Sequence, residues 1–226
     1  MKLYCLASGS KGNCYLLESN TGRQIILDAG IHIKNISNNP AFIGWKNVSA
    51  ALITHAHVDH SKGLKDIARN GINCFGYFNT QNKQVVHIDS FKIMAFECKH
   101  DVYCLGFVIK DLETNEVLVY ATDTAELPIV VNANYWLVEC NYDEQTIDKQ
   151  IQKDETDLVY YGRVFDTHMG LEYLTEYFKD KRIKRPDTII ICHLSEYNIF
   201  QQKAIKALDK YSNVVDFAKA GKKWNL

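Results

Sequence analysis

Within six residues, His55-Ala56-His57-Val58-Asp59-His60 carries four side chains able to bind a metal, in the pattern H-x-H-x-D-H. Imidazole and carboxylate at this density are the donors of a Zn²⁺-type site. His55 and His57 are two apart, so a short extended piece aims both rings the same way. A turn then carries Asp59 and His60 round to a second position. One metal cannot take all four and keep an open coordination position, so the spacing points to two adjacent metals. The bland alternative is a histidine-rich surface turn, and the mixture of donors argues against it.

Flanking elements must hold this cluster. Val48 to Ile53 is a short apolar run and reads as a buried strand. Ser61 to Asn70 reads as a helix closed by Gly71. Three more candidates stand just past apolar strands: His100, with Asp101, after Phe91–Glu97; Asp123 after Val117–Tyr120; and His193 after Thr188–Cys192. Each alone reads as a polar residue ending a strand. With the H-x-H-x-D-H turn they read as one site, because sites assemble where strand ends share an edge.

Further strands are expected at Lys2–Leu6, Cys14–Glu18, Gln24–Asp28, Asn73–Phe78, Gln84–Ile88, Tyr103–Lys110, Tyr135–Glu139 and Val214–Ala218. Further helices are expected at Asp143–Gln152, Leu171–Lys179 and Asn198–Tyr211. Strands in two groups, each followed by helices, suit an α/β fold of two sheets packed face to face with helices outside.

Nothing in the composition marks a domain boundary, so residues 1–226 are expected to form a single domain. Lys and Arg number 26 against 27 Asp and Glu, which leaves no global field for nucleic acid or membrane. No apolar run approaches bilayer length, and Met1 to Ser10 is too short and polar for a signal peptide. Seven cysteines without a C-x-x-C read as reduced thiols in a cytoplasmic protein.

Taken in order, Leu27-Asp28-Ala29-Gly30, the H-x-H-x-D-H turn, His100, Asp123 and His193 resemble the metallo-β-lactamase fold hydrolases. Ala7 to Asn13, His100-Asp101, Thr122-Asp123-Thr124, Glu139 to Asp143 and His193-Leu194-Ser195 are most similar to the WalJ-type (YycJ-type) branch. The resemblance implies an αββα sandwich of two mixed sheets. It implies two divalent metal ions, Zn²⁺ or Mn²⁺: His55, His57 and His100 hold one; Asp59, His60 and His193 hold the other; Asp123 bridges them. Asp28 would orient a ligand histidine. His168, before the Leu171 helix and after an expected extended stretch, matches imperfectly a Gly-His-x-Ser segment shared with ribonuclease Z-like nucleases. Thr167 and Gly170 stand where the family prefers Gly and Ser, and Tyr142 where the branch usually has histidine. His32 and His87 match no motif and are read as structural or exposed.

The implied catalytic residues are Asp59, His168 and Glu139. Asp59 would orient or deprotonate the attacking water. His168 would protonate the leaving oxygen with Glu139 as its partner. Lys11 and backbone N–H groups of the Gly9–Asn13 turn are candidate phosphate contacts, and Lys179–Arg185 with Lys222-Lys223 a candidate nucleic-acid track. The leading expectation is a binuclear metal-dependent phosphodiesterase acting on nucleic acid, as a DNA 5′–3′ exonuclease does. The alternative substrate is a cyclic nucleotide, as for phage anti-defence members of the superfamily. An alternative of another class is a non-catalytic metal-bound binding protein. No membrane partner is expected, and a homodimer is left open.

Overall fold

Ile189 and Ile190 point to opposite faces of one strand, and both are fully buried. Such a strand must be covered on both sides, which is why Thr188–Cys192 is apolar rather than alternating. Ile190 and Cys192 join the core between two sheets, while Ile189 and Ile191 join a second core under helices. Leu137 and Val138 divide in the same way. Each fully buried aliphatic side chain contributes roughly 1.5–3 kcal/mol.

The computed structural model describes residues 1–151, 158–194 and 201–226. In chain order the strands are β1 (Lys2–Ala7), β2 (Cys14–Glu18), β3 (Gln24–Leu27), β4 (Val48–Ile53), β5 (Cys74–Gly76), β6 (Val85–Ile88), β7 (Phe91–Cys98), β8 (Cys104–Asp111), β9 (Val117–Ala121), β10 (Tyr135–Glu139), β11 (Thr188–Cys192), β12 (Val214–Phe217) and β13 (Lys223–Asn225). The helices are α1 (Ile33–Ser37), α2 (Val58–Ser61), α3 (Leu64–Arg69), α4 (Glu144–Ile151), α5 (Leu158–Thr167), α6 (Leu171–Lys179) and α7 (Gln201–Leu208). One sheet runs β13-β1-β2-β3-β4-β5 and the other β12-β11-β10-β9-β8-β7-β6. Both mix parallel and antiparallel pairs. Their facing sides share a core that includes Tyr15, Leu27 and Leu52 from the first and Phe107, Tyr120 and Ile190 from the second. Ile36 and Ile67 of α1 and α3 cover the outer face of the first sheet; Leu174, Phe178 and Leu208 of α6 and α7 cover that of the second. This is the expected αββα sandwich.

The parallel pairs position the site. β3 and β4 run together in one sheet, and β9, β10 and β11 in the other. Their carboxyl ends meet at one rim, where Leu105 N–H of β8 donates to Thr54 C=O at 3.0 Å. Three residues leaving these strands take left-handed backbone conformations: Asp28 (φ 56°), Asp123 (φ 51°) and His193 (φ 50°). Each costs about 1 kcal/mol or more for a side chain with a Cβ. Clustered at one rim, they mark a functional edge.

The structure corrects several expected boundaries. The helix placed at Ser61–Asn70 begins at Val58 and is interrupted at Lys62-Gly63, so Asp59 and His60 lie in helix α2 and not in a loop. Gly63 causes the break: its N–H donates to Ala29 C=O at 2.7 Å, and a Cβ there would come within 2.9 Å of Ile31 C=O. Gly71 (φ 80°) ends α3 as expected. The stretch before His168 is the helix α5, where an extended chain was expected. Its Tyr161 and Val164, one helical turn apart, pack with Tyr142 and Ile147, and that contact outweighs the β-leaning content of the segment. β13 was not anticipated. Expected helical residues Gln152 and Asn198 to Phe200, and motif residue Ser195, lie outside the described residues. Among the described residues no helix is long and apolar enough to cross a membrane.

Candidate metal centre

His55 leaves β4, His57 precedes α2, and Asp59 and His60 sit on α2. Gly30 lets this turn approach: a Cβ at Gly30 would lie 1.6 Å from Asp59 C=O, so only glycine fits beneath α2. His100 sits in the loop between β7 and β8; Asp123 and His193 follow β9 and β11.

These residues converge into two donor groups. His55, His57, His100 and Asp123 form one; Asp59, His60, Asp123 and His193 form the other, and the donor atoms of each lie within 4.8 Å of one another. Asp123 belongs to both. Its Oδ2 is 3.4 Å from His55 Nε2 and 3.2 Å from His60 Nε2, and its Oδ1 is 3.0 Å from His193 Nδ1. His57 Nδ1 lies 3.1 Å from His55 Nε2 and 3.4 Å from His100 Nε2.

The imidazoles are fixed from behind. His60 Nδ1–H donates to Asp28 Oδ2 at 2.7 Å, leaving Nε2 for the cluster. Asp28 also accepts from Tyr120 Oη at 2.5 Å and from the amide and hydroxyl of Thr54. Thr54 Oγ1 in turn meets His55 Nδ1 at 3.0 Å. His100 Nδ1–H donates to Thr167 C=O at 3.1 Å. Thr54 and Tyr120 were not singled out in the sequence, and Thr167 was noted only as a departure from the family pattern, not for its carbonyl. Thr54 could have been, since it adjoins His55; the other two are brought in only by tertiary folding.

Electrostatics favour a cation. Burial, with His60 beside it, pushes His55 down to about 2, and burial also lowers His100, so both keep the lone pair that a ligand needs. Burial works against ionisation of Asp59 and Asp123, yet the surrounding imidazoles outweigh it and hold both carboxyls low. Burial opposes a proton on His60 too, but Asp123 and Asp28 raise its pKa well above the usual value. A pocket that attracts a proton so strongly attracts a metal cation for the same reason. His193 adds a direct sign: its buried ring nitrogens lie 3.0 Å from Asp123 Oδ1 and 3.6 Å from Asp59 Oδ2, yet neither makes a well-aligned hydrogen bond. A buried imidazole facing two carboxylates in this way is a donor set that fits a cation.

Beside the second group, His168 Nδ1–H donates to Glu139 Oε2 at 2.9 Å. Glu139 is fully buried and its Oε1 accepts the Thr124 amide N–H. The His168 ring stacks on His193 with centroids 5.7 Å apart and planes 13° apart.

The Metallo-beta-lactamase superfamily profile matches residues 7–80, the segment that holds Asp28 and the H-x-H-x-D-H turn. Exodeoxyribonuclease WalJ of Streptococcus pneumoniae (strain D39) is 29% identical over 175 residues, 65% of this chain and 64% of WalJ. The Bacillus subtilis metallo-β-lactamase fold protein YhfI superposes with a TM-score of 0.72 at 16% identity, covering 99% of each chain. The chain has the metallo-β-lactamase fold. Human tRNase Z, short form, shares this fold with a TM-score of 0.66 at 14% identity over 100% of this chain and 99% of that one.

Two departures from the branch pattern explain each other in this fold. Tyr142 and Gly170 form a β-bridge, and a Cβ at Gly170 would lie 2.6 Å from the Tyr142 ring. The tyrosine occupies the space that a side chain at 170 would need. Two other expectations weaken. In the Gly9–Asn13 turn the amides of Gly9, Gly12 and Asn13 are already bonded to Asn13 Oδ1, Gly9 C=O and Asp59 C=O, so most of its N–H groups are spent on shape. Lys179–Arg185 leads into the amino end of β11, about 16 Å from the carboxyl-end rim for a five-residue strand. There Lys179 pairs with Glu176, Arg182 with Asp180, and Arg185 caps Asp209 and Ser212 carbonyls. His32 and His87 are both exposed.

Proposed function

We propose that this chain is a metal-dependent hydrolase of phosphodiesters, with nucleic acid, and DNA in particular, as its substrate. Supporting the reading is the Glu139–His168 pair beside two donor groups that share Asp123. Metal hydrolysis alone needs the donors; a buried carboxylate holding a histidine proton is an added device for expelling a poor leaving group. The name of WalJ, matched over 64% of its length, supports DNA as the substrate.

His55, His57 and His100 would hold one cation, Asp59, His60 and His193 the other, with Asp123 common to both. Nitrogen and oxygen donors without thiolate suit Zn²⁺ or Mn²⁺. Such cations supply positive charge against the phosphate and lower the pKa of water to about 7. The chain's own groups do the rest. Asp59, partly exposed, orients the attacking water and takes its proton. Glu139 occupies His168 Nδ1, so Nε2 is the atom that delivers a proton to the leaving oxygen. Thr124 N–H keeps Glu139 in place, and Asp28, Tyr120 and Thr54 keep His60 and His55 turned inward.

Elemental analysis of metal-replete protein should find two cations per chain; a single one at saturation would remove the binuclear reading. Linear duplex DNA, single-stranded DNA, RNA, cyclic mononucleotides and bis-p-nitrophenyl phosphate form the substrate test. Linear DNA should be cut fastest. Preference for cyclic mononucleotides would replace the nucleic-acid assignment, and no hydrolysis with both sites filled would leave a metal-bound binding protein.

A pH profile tests the dyad. Burial disfavours the charged form of His168, but Glu139 outweighs it and raises the pKa to about 9. A general acid works only while protonated, so turnover should fall as pH rises through that pKa. Glu139→Gln removes the group that holds the proton, and the alkaline limb of kcat should shift to lower pH. An unmoved limb would separate His168 from proton transfer.

A further inference from the structure

His57 differs from its neighbours in the atom it offers. Its Nδ1 faces His55 and His100, so its proton belongs on Nε2. His60 and His100 have their outward nitrogens held by Asp28 and by the Thr167 carbonyl. For His57 the group in that place is Asp101, whose Oδ1 lies 3.4 Å from His57 Nε2. The other oxygen, Oδ2, accepts Arg163 Nη2–H at 2.8 Å. Arg163 is on α5, the helix whose last residue supplies the Thr167 carbonyl. One helix thus reaches two histidines of the rim, His100 directly and His57 through Asp101.

We infer that Asp101 is a positioning residue: it holds His57 in the tautomer and orientation that turn Nδ1 into the donor cluster, with Arg163 holding Asp101 in turn. This rests on the metal-centre reading above. The contact at 3.4 Å is long for a hydrogen bond, and the Asp101 side chain is 31% exposed, so affinity should respond rather than stoichiometry. Arg163 is 69% exposed, and its pairing is correspondingly weaker. Asp101 Oδ1 also lies 3.1 Å from His100 Nε2. A carboxylate there makes direct ligation the competing role.

Zinc titration against a competing chelator decides, using full-length Asp101→Ala, Asp101→Asn and Arg163→Ala proteins with circular dichroism as the fold control. In Asp101→Ala, affinity at one of the two sites should fall by about 10–100-fold, the scale for losing a group behind a ligand histidine, while saturating zinc still fills both. Asp101→Asn keeps an oxygen that accepts from Nε2–H and a near-identical shape, so it should recover most of the affinity. Arg163→Ala should fall between wild type and Asp101→Ala. Wild-type affinity in Asp101→Ala, or an Asp101→Asn protein as weak as Asp101→Ala, overturns the positioning role. Loss of one zinc at saturation overturns it in favour of direct ligation. A wild-type protein that binds no zinc at all is a different result, since it sinks the metal centre and not merely the role of Asp101.

Discussion

Asp123→Asn should cost the protein at least one bound cation and its turnover together. Asp123 is 3% exposed and is the one side chain common to both metal donor groups. Its two oxygens face His55, His60 and His193. Asparagine keeps the shape and one oxygen but removes the charge, so the fold has little reason to change while each proposed metal position loses an anionic donor. Cation content should drop from two to at most one per chain, and turnover by at least about 10⁴-fold, the scale for removing a member of a catalytic constellation. Stability gives an independent readout. A ligand at about 1,000 times its Kd adds about 4 kcal/mol to the folded state, and for a chain of this size each kcal/mol is worth about 2–4 °C in Tm. A chelator should therefore lower the wild-type Tm by roughly 10 °C and lower that of the variant less. Two cations and near-normal turnover in Asp123→Asn would falsify the shared-ligand assignment.

What the sequence made legible was what is local or periodic. The H-x-H-x-D-H turn packs four donors into six residues, and spacing alone suggested that His55 and His57 point the same way, as they do in sharing one donor group. Apolar runs ending in Asp123 and His193 foretold strand ends at one edge. What remained hidden depends on pairing across the fold. Tyr120 bonds Asp28 over 92 positions, and Arg163 reaches Asp101 over 62. No pattern in either segment names its partner. The left-handed turns at Asp28, Asp123 and His193 were hidden too, because Asp and His sit in ordinary backbone far more often than in this region. α5 escaped because Leu158-Val159-Tyr160-Tyr161 leans towards strand on propensity, while packing of Tyr161 and Val164 with Tyr142 and Ile147 gives the helix a buried face. Tyr142 and Gly170 looked like two unrelated departures until one was seen to fill the space of the other.

His168→Ala should separate chemistry from metal binding. The imidazole belongs to neither donor group that carries the H-x-H-x-D-H residues; it is tied to Glu139 at 2.9 Å and stacked on His193. Cation content should therefore stay at the wild-type value. Turnover of a natural diester should fall by about 10²–10⁴-fold, the usual contribution of a positioned acid. A p-nitrophenolate leaving group is stable without a proton, so hydrolysis of bis-p-nitrophenyl phosphate should fall much less. His193→Ala is the control: its ring nitrogens lie 3.0 Å from Asp123 and 3.6 Å from Asp59, so it should lose one cation and damage both substrates alike. The ratio of the two activities, not either alone, carries the inference, because loss of packing would lower both by the same factor. If His168→Ala releases a cation, the histidine is a ligand and the third grouping of Asp123, Glu139, His168 and His193 is the true second position. If metal content and both activities are unchanged, His168 is only the residue that joins α5 to α6, and the case for a nuclease falls back on the metal donors and the similarity to WalJ.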